Sequence, residues 1–182
     1  MKITSFALLI LLSISYSSCK VDSSITSPYV SYFKGDNTFL YFIKPLTMIG
    51  EMNKAKVQID FTFNDQKDSD SSFVTVNYTV YSLDIKGGIK ASFEQKNKSI
   101  ELLKNEMIFQ EGYAGNTKIR YSGQLSKVSF LGLLKDADFK LKLVSQKKTE
   151  EQYSFVLKNK YRKKLYKTSV QLYENLAQKI IQ

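Results

Sequence analysis

Four glutamates in the middle of the chain, Glu94, Glu101, Glu106 and Glu111, could support acid–base chemistry. Two carboxyl groups held about 5–10 Å apart, one protonated and one ionised, can hydrolyse a glycosidic bond. Their spacing does not mark any two of them as a pair, and the chain has no tryptophan to serve as a stacking platform for a sugar ring. An envelope glycan hydrolase is therefore the alternative interpretation rather than the leading one.

Other catalytic and metal-binding chemistry finds little support in the sequence. Asp65, Asp68 and Asp70 alternate in a polar segment and could form a calcium cradle, but no glycine follows at the sharp-turn position and Thr79 stands where an EF-hand needs glutamate. There are no histidines, which removes the usual general base and the commonest metal ligand. We predict a non-enzymatic protein with no metal and no cofactor.

Positive charge is concentrated at the C-terminal end. Residues 139–182 carry eleven basic and three acidic side chains, a net charge of +8, whereas residues 20–138 carry a net charge of +1. The densest stretch, 158–167, interleaves two tyrosines with the cations. A basic cluster of this kind attracts anionic partners. We predict a contact surface for an anionic surface or an acidic protein, formed by Lys140, Lys142, Lys158, Lys160, Arg162, Lys163, Lys164 and Lys167.

The N-terminus has the three parts of an export signal. Lys2 supplies the positive charge, residues 6–14 (FALLILLSI) form an apolar core, and residues 15–18 are small or polar apart from Tyr16. The apolar core is too short to cross a bilayer, which takes ~20 residues. We therefore predict a signal peptide over residues 1–18 and an extracytoplasmic location, where nucleic acid is not an expected partner.

Ser17-Ser18-Cys19 resembles the lipobox of bacterial lipoproteins, in which the cysteine receives a diacylglyceryl thioether and becomes the new N-terminus. This resemblance implies lipidation of Cys19 and attachment to a membrane of the cell envelope. Lys20 and an acid soon after it loosely resemble the export signals of small Bacteroidota envelope lipoproteins, which implies the outer membrane. Tyr16 replaces the leucine that the family prefers, so cleavage without lipidation, giving a secreted effector, is a second alternative.

Beyond the signal, the sequence predicts one domain. Residues 19–27 form the lipidated cysteine and a short polar tether, and 28–182 form the domain. Alternating apolar residues at 57–63 and 74–80 predict a hairpin, and 139–143 with 153–157 predict another. Residues 39–43, 89–93, 99–103, 107–111 and 117–122 are further strand candidates. Ser129 is a candidate cap for one helical turn.

The spacing of apolar residues changes near the C-terminus. Apolar residues from Tyr161 to Ile180 recur every three or four positions, which indicates an amphipathic helix that begins near Lys160 or Thr168. Many short strands followed by one helix predict a mainly β protein, an antiparallel β-sandwich with a C-terminal helix. The leading functional interpretation is a lipid-anchored binding or structural accessory protein.

Overall fold

The structure, a computed structural model, describes residues 29–35, 38–52, 55–65, 73–81, 88–113, 116–146 and 151–178. These residues form ten strands and two helices. The strands are β1 (Tyr29–Gly35), β2 (Thr38–Gly50), β3 (Lys56–Asp65), β4 (Phe73–Tyr81), β5 (Ile89–Gln95), β6 (Lys98–Glu101), β7 (Leu103–Tyr113), β8 (Asn116–Ser126), β9 (Lys140–Ser145) and β10 (Gln152–Leu157). The helices are α1 (Lys127–Asp136) and α2 (Asn159–Gln178).

All ten strands belong to one antiparallel sheet that nearly closes on itself. The strand order is β6-β5-β9-β10-β2-β3-β4-β8-β7, with β1 also paired to β2. The two end strands, β6 and β7, are separated in the chain by a single residue, Leu102, so the sheet must curl round to bring its ends together. Leu102 N donates to Ala91 O (2.8 Å) at this junction. The predicted mainly β, antiparallel architecture with a C-terminal helix is confirmed.

The two predicted hairpins are present. β3 pairs with β4 from Lys56 opposite Tyr81 to Thr62 opposite Thr75, and β9 pairs with β10 with Leu141 opposite Phe155. The apolar members of each alternating series are buried, except Tyr153, which is half-buried against the core. Alternation of apolar and polar residues therefore predicted these strands correctly, because one face of each strand packs on the core.

Aromatic side chains fill the interior. The Phe61 ring lies 5.1 Å from the ring of Phe130 and 6.2 Å from the ring of Phe93, measured between centroids. Phe130 comes from α1, whose Leu133 and Leu134 are also buried. Because these side chains fill the space inside the sheet, a functional site is expected on the surface.

The first helix begins at a residue other than its predicted cap, whereas the C-terminal helix begins at the earlier of its two predicted starts, near Lys160. Ser126, not Ser129, caps α1: its hydroxyl accepts a hydrogen bond from Ser129 N (3.1 Å). The helix at the C-terminus begins at Asn159, so Thr168 lies inside it and donates its hydroxyl to Lys164 O (2.9 Å). The described helices include none that is long and apolar enough to cross a membrane.

Candidate anionic contact surface

One side of α2 packs against the rest of the protein. Leu165, Thr168, Ser169 and Leu172 are buried, and Tyr161 is half-buried. The two hydroxyls bond to carbonyls of their own helix, Thr168 to Lys164 O and Ser169 to Tyr166 O, so burying them leaves no donor unpaired. Since successive residues are about 100° apart on a helix, the buried side fixes which residues face away from it.

Four lysines lie away from the buried side of α2. Lys160, Lys163 and Lys167 are exposed opposite that side, and Lys164, which is half-buried, lies at their flank; together they cover about 10 Å of the helix. We call these four residues the lysine stripe. Among the described residues, no carboxylate lies within ion-pair distance of any of its four ammonium groups. Lys158, exposed just before the helix, extends the positive charge.

The position of the stripe within the helix is unfavourable for stability. A helix N-terminus carries a partial positive charge, which favours acidic side chains in the first turn. The first turn of α2 contains none, and its first half holds the lysine stripe. Neighbouring like charges at these spacings also repel one another. Helix stability therefore does not explain the arrangement, whereas an anion would meet both the ammonium groups and the favourable end of the dipole.

Three residues of the predicted surface are neutralised instead. Lys140 Nζ lies 2.8 Å from Glu51 Oε1, Lys142 Nζ lies 3.1 Å from Glu94 Oε1, and Arg162 Nη2 lies 2.9 Å from Asp138 Oδ1. The hydrogen bond with Glu51 raises the pKa of Lys140, and the same bond lowers the pKa of Glu51. The sequence predicted that the eight cations would be exposed rather than held in ion pairs, and for these three the structure shows ion pairs instead. The sequence placed these three on polar faces correctly, but it could not show which distant carboxylates lie beside them.

Tyrosines flank the stripe, as the interleaved sequence indicated. Thr47 Oγ1 donates to Tyr161 Oη (3.3 Å) and so joins the start of α2 to β2. This hydrogen bond lowers the pKa of Tyr161, and the charge of Lys160 acts in the same direction. Lys160 Nζ also lies 4.8 Å from the centroid of the Tyr161 ring. Tyr166, by contrast, is 56% exposed beside the stripe.

The four candidate glutamates do not converge. Glu94 and Glu101 share the outward face of β5 and β6, opposite Ser99 and Ser92 respectively. Glu94 is held by Lys142, and Glu101 lines a shallow depression of about 250 Å³. Glu106 and Glu111 lie on β7 at the other end of the strand order, where Lys118 pairs with Glu111 (2.6 Å).

Several sequence predictions lie outside the described residues: the signal peptide over residues 1–18, lipidation of Cys19 with the tether that follows it to residue 27, and the acidic loop that contains Asp68 and Asp70. Within the described ranges, no group of histidine, cysteine, aspartate or glutamate side chains is arranged to hold a metal ion. Comparison of the chain with family models, with curated proteins and with solved structures gives no match. The function must therefore be argued from the site itself.

Proposed function

We propose that this protein is a non-enzymatic, lipid-anchored component of the cell envelope that contacts an anionic membrane surface through the lysine stripe. The observation that carries the proposal is the group of four lysines on α2 whose ammonium groups have no carboxylate partner among the described residues. The lipobox-like sequence that ends at Cys19 supplies a lipid anchor at the outer membrane. Residues 20–27 form the tether that allows the domain to reach the bilayer surface. Phosphate-bearing lipid head groups are the anions that an anchored protein meets at the highest local concentration.

The energy available is sufficient for a second attachment. A lysine close to an anionic membrane gains on the order of 1 kcal/mol, so the stripe contributes roughly 4 kcal/mol. A thioether-linked diacylglycerol with a further acyl chain already fixes the protein to the bilayer. The stripe would therefore determine how the anchored domain is oriented.

The finer shape of the sheet is part of the proposal. We infer two packed layers, as in a sandwich, with β6, β5, β9 and β10 facing β2, β3, β4 and β8. The support is the contact between Phe61 and Phe93: β3 and β5 are four places apart in the strand order, yet their rings are 6.2 Å apart. Aligned layers pack ≈ 10 Å apart with interleaved side chains, which leaves the outer faces for binding.

The direct test is binding to vesicles in the absence of the lipid. Purified protein that begins at Lys20, and so lacks the signal segment and the cysteine, is mixed with phosphatidylcholine vesicles that contain or lack phosphatidylglycerol. Binding should require phosphatidylglycerol and should weaken as salt is added, because screening shortens the field to ~8 Å at physiological strength. Changing Lys160, Lys163, Lys164 and Lys167 to Gln together should abolish most of it.

A matched control removes the same charge elsewhere. Lys56, Lys90, Lys98 and Lys135 are exposed on other elements, and changing all four to Gln leaves the stripe intact. This control should keep most of the wild-type binding. Equal loss in the two variants would mean that net charge alone attracts the vesicle, and the stripe would have no special role.

Lipidation is tested separately. In the native host, Cys19→Ala should prevent incorporation of labelled fatty acid and release the protein from the membrane fraction. A wild-type protein that is cleaved but never labelled would instead be the secreted, unlipidated alternative.

A further inference from the structure

The end strand β7 is irregular at two places. Relative to β8 it contains an extra residue between Leu103 and Glu106, and another between Met107 and Phe109. Such bulges redirect side chains and occur often beside functional sites. The second bulge places Ile108 and Phe109, which follow each other in the chain, on the same outward face of the sheet: Ile108 lines a depression there, and Phe109 lies opposite the outward residue Arg120.

Exposed apolar side chains gather in this region. Ten large apolar residues are exposed in the described part of the chain, and four of them, Phe73, Leu103, Ile108 and Phe109, lie on β4 or β7, the two strands on either side of β8. Met107 is also exposed on β7, but it lies opposite the inward residue Tyr121 and so belongs to the other face. Single exposed apolar residues are ordinary, whereas several on neighbouring strands indicate a binding surface.

The middle of the same face is polar and electrically balanced. A depression of about 270 Å³ there is lined by Thr75, Lys104, Glu106, Ile108, Ser122, Gly123 and Gln124. Lys104 and Glu106 have opposite charges, and neither forms an ion pair with a described residue. This locally neutral site lies in a chain whose net charge is +10. The positive charge of α2 suits an anionic ligand better than this depression does.

The arrangement of apolar and polar groups favours one class of ligand. Leu103 lies opposite Gln124, and Phe109 opposite Arg120, so the two apolar ends are separated by four residues of β8, about 13 Å. Protein interfaces have the reverse plan, an apolar centre with a polar rim. The hydroxyl of Ser122 and the amide of Gln124 both donate and accept hydrogen bonds.

We propose that this outward face of β4, β8 and β7 binds a neutral oligosaccharide of two or three rings. Sugar hydroxyls would bond to the side chains of the polar centre, and the C–H faces of the rings would rest on Ile108 at one end and on Leu103 at the other. These apolar contacts take the place of tryptophan, which the chain lacks. Phe109, whose ring has Lys118 Nζ over it at 5.4 Å from the centroid, borders the site beside Ile108. The site is independent of the lysine stripe and of the lipid anchor.

The test measures binding of maltotriose, cellotriose, mannotriose and N-acetylglucosamine trisaccharide to the whole protein by calorimetry, up to millimolar concentration. At least one should bind with one site per chain. Ser122→Ala with Gln124→Ala should raise its Kd about tenfold or more, which corresponds to about 1.4 kcal/mol. The control, Ser31→Ala with Gln152→Ala on β1 and β10, should leave the Kd unchanged.

Three results would overturn the proposal. None of the four trisaccharides binds the folded protein, or the Ser122 and Gln124 changes have no more effect than the control. The third is self-association that Ile108→Glu abolishes, because the face would then be an interface between copies of the chain. Changing the lysine stripe to Gln should not alter sugar binding, so the two proposals fail separately.

Discussion

Arg120 and Asp60 form an ion pair on the outward face of the sheet, with 3.0 Å between Arg120 Nη2 and Asp60 Oδ2. Asp60 is nevertheless 4% exposed. Its other carboxylate oxygen accepts from Asn77 Nδ2 (2.9 Å), and Arg120 Nη1 donates to Thr79 Oγ1 (3.1 Å). The alternation of β3 places Asp60 on the face away from the core, where a polar side chain is ordinarily exposed to water; here side chains of β4 and β8 cover it.

Asp60→Ala should destabilise the protein measurably. Removing one partner of a buried pair costs 3–5 kcal/mol, but the Arg120 side chain is 32% exposed and can be rehydrated, so we expect about 2 kcal/mol. Thr62→Ala, at the next outward position of β3, should cost less than about 0.5 kcal/mol. The free energy of unfolding in urea measures both. Equal values for the two variants would mean that the ion pair adds nothing.

Phe61→Ala should cost about 3–5 kcal/mol, because it leaves a cavity beside Phe93 and Phe130 that the surrounding strands cannot fill. Phe73→Ala removes the same side chain from a position that is 48% exposed and should cost under about 1 kcal/mol. Urea unfolding of both variants makes the comparison. A small loss for Phe61→Ala would contradict the filled interior.

Tyr78 and Tyr121 form a matched pair for testing buried hydroxyls. Their rings stack with centroids 5.2 Å apart. Tyr78 Oη donates to Asn105 Oδ1 (2.9 Å), and Asn105 Nδ2 donates to Ile89 O (2.7 Å) where the sheet nearly closes. Among the described residues, the buried Tyr121 hydroxyl has no hydrogen-bond partner.

Tyr78→Phe should therefore cost about 1–3 kcal/mol, since it leaves a buried amide oxygen unpaired. Tyr121→Phe should be neutral or stabilising, because it removes a hydroxyl that lost its water on folding and gained no partner. The difference in free energy of unfolding between the two variants is the measurement. The opposite order would show that the Tyr121 hydroxyl has a partner after all.

Stability should fall in strong alkali. Burial raises the pKa of Tyr121 to about 12, and burial also raises the pKa of Tyr78. An unfolded tyrosine ionises near pH 10, so between about pH 10 and 12 the unfolded chain releases a proton that the folded protein keeps. For Tyr121 this lowers the free energy of unfolding by about 1.4 kcal/mol per pH unit. The slope should be shallower in Tyr121→Phe, as measured by urea unfolding across that range.

The sequence predicts those parts of the fold in which local pattern and burial agree. Val57 to Phe63 and Val74 to Val80 alternate cleanly, and the β3–β4 hairpin follows. The predicted strand at 39–43 was shorter than β2, because we expected the strand to end before Pro45. The register of β2 against β3 shifts between Ile43 and Leu46, and this bulge accommodates a residue without an N–H, so the strand continues to Gly50.

The two candidate surfaces, on α2 and on β7, depend on contacts between distant residues that a single sequence does not reveal. The helical spacing of the lysines was visible, but the pairing of Lys140 with Glu51 joins residues 89 apart in the chain. The bulges of β7 have no sequence signature, because they arise from the register that β8 imposes. Composition therefore located the basic segment, whereas only the fold separates its free cations from its paired ones.

The central claim is that α2 is the face that meets an anionic membrane, and the most direct measurement places a reporter on it. The chain has no tryptophan, so one introduced residue gives the only indole signal. Tyr166→Trp puts it beside the lysine stripe, and Tyr32→Trp puts it on β1, at closely similar exposures of 56% and 59%. On phosphatidylglycerol vesicles containing brominated lipid, fluorescence at position 166 should be quenched and that at position 32 should not. Equal quenching at the two positions, or quenching at 32 alone, would contradict the account.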